Sequence, residues 1–120
     1  MNEQKVVVDL DVPVPMRDGV QLRANVYRPA EGRWPVLLTR LPYGKDLPGA
    51  TAALDPIQAA RRGYVVIIQD TRGRFASEGD FHPFEGEAED GVDTIAWAAG
   101  LPYADGQVGM YGLSYFGFTQ

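Results

Sequence analysis

Hydrophobic and polar positions alternate along the first part of the chain and then change period. Val6, Val8 and Leu10 alternate with polar or partly exposed positions and lead into Val12-Pro13-Val14-Pro15. Proline cannot donate to a ladder, so this stretch predicts an edge strand. Arg17-Asp18-Gly19 is a turn signal, with a glycine free to take a positive φ. Val20, Leu22, Ala24 and Val26 then alternate with Gln21, Arg23 and Asn25, which predicts a second strand with one buried face and an antiparallel hairpin closing at Arg28-Pro29. From Pro35 to Leu41 the alternation gives way to a continuous apolar run at Val36-Leu37-Leu38, as in a strand covered on both faces.

Pro42-Tyr43-Gly44-Lys45 breaks that strand. A weaker helical stretch follows, with Ala52, Ala53, Leu54, Ile57 and Ala60 on its apolar side. Pro56 suits the first turn of a helix over 56–62 that closes at Gly63. Tyr64–Ile68 predicts a second fully buried strand, ending at Gln69-Asp70. Thr71–Gly86 reads as a loop, with glycines at 73, 79 and 86 and a proline at 83; such a stretch inside a compact domain is usually functional or closely packed. Glu87–Ala99 is the clearest helix: Ala88, Val92, Ile95, Ala96 and Ala99 share a face, and Glu87, Glu89 and Asp90 put negative charge at its positive end. Gly100 and Pro102 end it, and Asp105-Gly106 turns into a short apolar strand with Val108 and Met110. Hairpin, strand, helix, strand, helix, strand is an α/β order, with parallel pairing and right-handed crossovers.

Composition narrows the function classes. The 120 residues have the length of one domain, and 45% are hydrophobic, so a packed core is expected rather than disorder. There are no cysteines. Disulfides, thiolate metal sites and cysteine nucleophiles are therefore excluded, and a reducing, cytoplasmic setting is expected. The net charge is −5, with acids gathered between Glu78 and Asp93; this repels phosphate backbones, so nucleic acid is not an expected partner. No apolar run is long enough to cross a bilayer and no secretory leader precedes the first strand, so neither a membrane nor export is expected. The acids at 80, 85, 87, 89, 90 and 93 lack calcium-loop spacing, and no histidine cluster points to zinc. They read as the solvated face and first turn of a helix, and no metal or cofactor is expected.

The stretch with the most chemistry is Gln107–Gly117. Ser114 stands between Gly112 and Gly117 just after the last apolar strand, the layout of a nucleophile elbow, where the chain turns sharply from strand to helix and exposes the serine oxygen. The common pattern is G-x-S-x-G, whereas position 116 is Phe and the glycine falls one residue later. On spacing alone an active-site serine and a plain strand-to-helix turn fit equally well. Tyr43, just past a strand at the carboxyl edge of the sheet where ligand crevices form, is a second candidate; a half-buried aromatic in a Pro-Tyr-Gly turn is the alternative. Asp70 fits the pocket, a turn cap or a pair with a nearby arginine, and Arg72 and Glu78 fit a substrate's charged end, an internal ion pair or a solvated loop face.

Residues 17–29, Leu41-Pro42-Tyr43-Gly44-Lys45, Gln69-Asp70-Thr71-Arg72-Gly73, Ser77-Glu78-Gly79 and the elbow Gly112-Leu113-Ser114-Tyr115-Phe116-Gly117 together resemble the cocaine esterase and X-prolyl dipeptidyl-peptidase family of α/β-hydrolases. The family's own elbow, G-x-S-Y-x-G, accounts for the displaced glycine. The resemblance implies the N-terminal portion of an α/β-hydrolase fold and a serine hydrolase acting on small-molecule esters or X-Pro-type peptides. It implies Ser114 as nucleophile, with the Tyr115 backbone N–H and the Tyr43 hydroxyl as oxyanion donors. The rest of the catalytic domain, a helical cap and a C-terminal β-sandwich domain are expected in a longer parent.

A serine nucleophile needs a base oriented by an acid, and in α/β-hydrolases both follow the serine. No Asp, Glu or His follows Ser114 in these residues. The one histidine, His82, precedes it among Phe81, Pro83 and Phe84, where a structural or surface role fits better than that of a base. These 120 residues alone are thus expected to be inactive and, with the serine strand left at a sheet edge, prone to self-association. The competing reading is a non-catalytic α/β fragment or interaction domain in which Ser114 is only a turn residue.

Overall fold

The computed structural model describes residues 4–41, 44–46, 51, 54–74, 77–79 and 87–111. Five strands, β1 (Val6–Pro15), β2 (Gln21–Pro29), β3 (Trp34–Leu41), β4 (Val65–Asp70) and β5 (Ala104–Met110), form one sheet with helices α1 (Pro56–Arg61) and α2 (Glu87–Ala99). The spatial order is β1-β2-β4-β3-β5. β1 pairs antiparallel with β2, and β2 antiparallel with β4. β3 lies parallel to both β4 and β5.

The order follows from the two crossovers. From β3 the chain passes through α1 to β4 on one side, and from β4 through α2 to β5 on the other. A single crossover hand run in opposite directions places the helices on opposite faces. Val36, Leu38, Val65 and Ile67 accordingly share a core with Ala98 of α2, whereas Leu41, Val66 and Ile68 pack with Ala59 of α1. All six residues of β4 are buried, which is why Val65–Ile68 is apolar without alternation; Tyr64, expected within this buried strand, precedes it and is exposed.

Local chemistry sets the ends of α1. The Asp55 carboxylate accepts the N–H groups of Ile57 and Gln58 at 3.0 and 3.1 Å, Pro56 occupies a first-turn position that needs no donor, and Gly63 turns the chain out at φ +98°. A Cβ on Gly63 would come within 3.0 Å of the Trp34 ring, so both backbone and contact require glycine there.

Three expectations change. First, the buried parity of β1 switches along its length: Val14 is fully buried, while Leu10 is 63% and Val8 41% exposed. A bulge between Asp9 and Val12, with Asp11 at φ +53°, places an extra residue in β1 and inverts the faces. Second, α2 has the expected limits but a rotated inner face. Gly91, Thr94 and Ala98 are buried, whereas Val92 and Ala96 are exposed. Asp90 and Asp93 are not solvated acids: Asp90 is held by Arg72, and Asp93 by Arg17 of the hairpin turn at 2.9 Å. These arginines lie far away in the chain, so helical periodicity alone could not reveal them. Third, Asp105-Gly106 lies inside β5 rather than before it. Gly106 sits at φ +95° and the Asp105 carboxylate accepts the Gln107 N–H, an irregularity accompanied by a register shift against β3.

No helix of the described residues is long and apolar enough to cross a membrane.

Candidate active site

The carboxyl ends of the three parallel-running strands meet at one edge of the sheet. Leu41, the last residue of β3, lies opposite Asp70, the last of β4, and Met110, the last of β5, lies opposite Leu38. The Leu41 carbonyl accepts the Thr71 N–H at 3.0 Å, and the Leu38 carbonyl accepts the Tyr111 N–H at 3.1 Å. β3 sends the chain toward β4, while β4 reaches β5 on the far side of β3. The β3–β5 boundary is therefore where strand order reverses, and α/β sheets form ligand crevices at such points. Tyr43 follows β3 by two residues, and Ser114 follows β5 by four. Tyr43, Ser114 and Tyr115 themselves lie outside the described residues, as does His82.

The described residues at this edge form a tightly tied frame. Asp70 is fully buried and accepts the backbone N–H of Lys45 at 2.8 Å. The Lys45 side chain is likewise buried, and its ammonium pairs with Asp11, with Asp46 at 3.0 Å and with Asp70 at 3.5 Å. Burial is the largest influence on this ammonium and pushes its pKa down. The hydrogen bonds to Asp11 and Asp46 and the charges of Asp70 and Asp46 outweigh it, and the net shift is upward. Asp46 moves the other way: the Asn25 amide, and then Lys45, hold its carboxyl below the usual value against its partial burial. Tyr111, packed on the α1 side with Tyr27 nearby, has its phenol pushed up by burial.

The loop after β4 folds back on the hairpin. Ser77 donates to the Asp70 carbonyl at 2.6 Å and accepts the Arg23 N–H at 2.8 Å. The Glu78 N–H donates to the Gln21 carbonyl, and the Glu78 carboxylate accepts the Gln21 N–H. Arg72 makes a two-pronged contact with Asp90 at 2.9 and 2.8 Å and reaches Asp18 at 3.0 Å. A Cβ on Gly79, at φ +91°, would lie 2.8 Å from Arg72 Cγ, so glycine is required where the loop crosses this side chain. Of the readings offered, Arg72 takes the internal ion pair, with Asp90 and Asp18, whereas Glu78 lies on an exposed loop face with its carboxylate accepting the Gln21 N–H. Asp70 likewise fixes a neighbouring loop.

Sequence reasoning missed part of this frame. Asp11, Asn25 and Asp46 carried no motif, because the bulge and the sheet bring them together from separate segments. Arg40 was counted within an apolar strand, yet it is fully buried and its Nε donates to Gln69, whose side-chain oxygen also accepts the Thr94 hydroxyl. Among the described residues no group of acids and histidines could hold a metal ion.

A model of the X-Pro dipeptidyl-peptidase (S15) family matches residues 18–120. The chain belongs to that family. It is 49% identical over 113 residues to cocaine esterase of Rhodococcus sp. (strain MB1 Bresler), covering 92% of this chain and 20% of that enzyme. Among solved structures, a CocE/NonD family hydrolase from Staphylococcus aureus superposes with a TM-score of 0.85 at 32% identity, covering 97% of this chain and 24% of the other. An alpha-amino acid ester hydrolase does so with a TM-score of 0.81, also at 32% identity, covering 97% and 22%. The mixed five-stranded sheet with its helices is thus the N-terminal portion of the α/β-hydrolase fold of these S15-related enzymes. The chain spans about a fifth to a quarter of the length of these relatives.

Proposed function

We propose that this chain is the N-terminal part of a serine hydrolase that cleaves carboxylic esters or X-Pro-type acyl bonds through an acyl-enzyme on Ser114. The observation that carries the reading is the adjacency of β3 and β5 at the edge where the strand order reverses, the strands that Tyr43 and Ser114 follow in sequence by two and four residues. Membership of the S15 family supports it. The esterase name of a relative at 49% identity favours ester over peptide substrates.

In this mechanism the Ser114 oxygen attacks the substrate carbonyl carbon and its proton passes to a histidine. The carbonyl oxygen becomes an oxyanion held by the Tyr115 N–H and the Tyr43 hydroxyl. Collapse of the tetrahedral intermediate breaks the bond to the leaving alcohol or amine, which takes the proton from that histidine. Water then repeats the sequence on the acyl-enzyme and releases the acid. The histidine and its orienting acid belong to the parent protein downstream of Ser114, in the chain order of α/β-hydrolases. No cofactor takes part in these steps.

Replacing Ser114 with alanine in the complete protein tests the reading. Turnover of a chromogenic ester such as p-nitrophenyl acetate should fall to background while the protein stays folded. Undiminished turnover in Ser114→Ala would refute the nucleophile and return Ser114 to a turn residue.

A further inference from the structure

The charge cluster around the buried Lys45, two residues after Tyr43 in the chain, is not used by the mechanism above. Its contacts form a closed ring. The Asp11 N–H donates to the Asn25 side-chain oxygen at 3.1 Å, and the Asn25 amide donates to Asp46 at 2.7 Å. Asp46 accepts from the Lys45 ammonium at 3.0 Å, and that ammonium returns to Asp11. Asp70 adds a second anchor, its carboxylate accepting the Lys45 backbone N–H. The ring joins the β1 bulge, the middle of β2 and the segment that follows β3.

Surface ion pairs contribute little and need no functional account. This cluster differs, because the Lys45 side chain is completely buried and burying an ammonium is costly unless its partners are well placed. The bulge that supplies Asp11 sets this residue at φ +53°, a conformation that a non-glycine residue seldom adopts. Bulges of this kind redirect side chains and are frequent beside active sites.

The position of Lys45 in the chain gives the cluster its consequence. Tyr43 is the middle residue of the Pro42-Tyr43-Gly44 span between Leu41 and Lys45. Leu41 is fixed by strand pairing and by the Thr71 N–H, and Lys45 by its backbone bond to Asp70 and its three carboxylate partners. Both ends of the span are therefore fastened. An oxyanion donor stabilises the transition state only if it is held in place before charge develops, since a reorganisation during the reaction would consume the gain. We propose that Lys45, gripped by Asp11, Asp46 and Asp70, is a positioning residue that holds the loop bearing Tyr43 in its oxyanion-binding place. The inference rests on the assignment of Tyr43 made above.

Four forms of the complete protein test it by steady-state kinetics on p-nitrophenyl acetate: Lys45→Met, Tyr43→Phe, their double variant, and the parent. Lys45→Met should lower kcat about tenfold or more with KM changed less than about twofold, because the lost interaction belongs to the transition state. In the Tyr43→Phe background the same substitution should cost less than about twofold, because no hydroxyl remains to position. A merely structural lysine would reduce activity by the same factor in both backgrounds, and that additivity would overturn the proposal, as would an unchanged kcat in Lys45→Met. Should Lys45→Met not fold, Asp11→Asn decides in the same way. Its side chain is 60% exposed, and its effect, a few-fold on kcat, should likewise vanish when Tyr43 is Phe. A normal kcat in Tyr43→Phe itself would instead locate the failure in the oxyanion assignment.

Discussion

The two serines of the sequence, Ser77 and Ser114, carry different expectations. The Ser77 hydroxyl is fully engaged, donating to the Asp70 carbonyl and accepting the Arg23 N–H, so its oxygen is committed to joining the loop to the hairpin. A nucleophile needs the opposite: an oxygen presented to solvent and to a base. At Tyr43 the expectation is quantitative. Loss of one oxyanion donor typically costs about 2.7–4 kcal/mol of transition-state stabilisation, so Tyr43→Phe in the complete protein should lower kcat about a hundredfold or more, with its thermal unfolding unchanged. An unchanged kcat would return Tyr43 to a packing role. Where a local motif exists, as in the displaced glycine of the elbow and the Leu41–Lys45 stretch, the sequence supplies the candidates Ser114 and Tyr43 that the proposed mechanism uses. Lys45 and its partners were not legible as a unit, because Asp11, Asn25, Asp46 and Asp70 come from four segments that only the sheet brings together.

At the scale of elements, helix ends were readable because single residues set them. Pro56 and Gly63 bracket α1, and Gly100 and Pro102 follow α2, while the Asp55 cap of α1 emerges only in the structure. The inward face of α2 was not readable. Asp90 turns inward to meet Arg72 and is 4% exposed, and Thr94 follows with a hydroxyl bonded to Gln69. Val92, apolar by composition, is left outward. Tertiary pairing outweighs periodicity here. Removing one partner of this part-buried pair costs less than the roughly 3–5 kcal/mol typical of a fully buried one, because Arg72 keeps its contact with Asp18. Asp90→Ala should therefore destabilise the protein by about 2 kcal/mol in denaturant titration, chiefly by releasing Arg72 from α2. A loss below about 1 kcal/mol would show that this pair does not hold the loop. The β1 bulge is a parallel case: Val6, Val8, Leu10, Val12 and Val14 keep one parity in the sequence, while the extra residue at Asp11 inverts it in space.

At the scale of the molecule, the α/β alternation was legible in the sequence, whereas the β1-β2-β4-β3-β5 order comes from the pairing of β2 with β4 and of β3 with β5; that order sets β3 and β5, the strands that precede Tyr43 and Ser114 in the chain, side by side. The charge pairs that tie hairpin, loops and α2 together also set the pH response. Asp18, held down chiefly by Arg72, Asp46, held down chiefly by Asn25, and Asp93, held down chiefly by Arg17, all have carboxyls below their ordinary value. A depressed folded-state pKa adds stability above the unfolded value and loses it as pH falls through the folded one. Lys45, raised above its ordinary value, adds stability below the unfolded pKa and loses it as pH rises through the folded one. The melting temperature should thus be level between about pH 5 and 9, fall below about pH 4 and fall again above about pH 10. A melting temperature that stayed level from pH 5 to pH 3 would show that these pairs contribute nothing to folding.

The central claim is that Ser114 forms the covalent intermediate. The most direct measurement is labelling of the complete protein with a fluorophosphonate, followed by peptide mapping of the modified residue. Of the two serines in these 120 residues, the account predicts label on Ser114, none on Ser77, and none in this segment when Ser114 is replaced by alanine. Label confined to a serine elsewhere in the protein, with Ser114 unmodified and turnover lost, would contradict it.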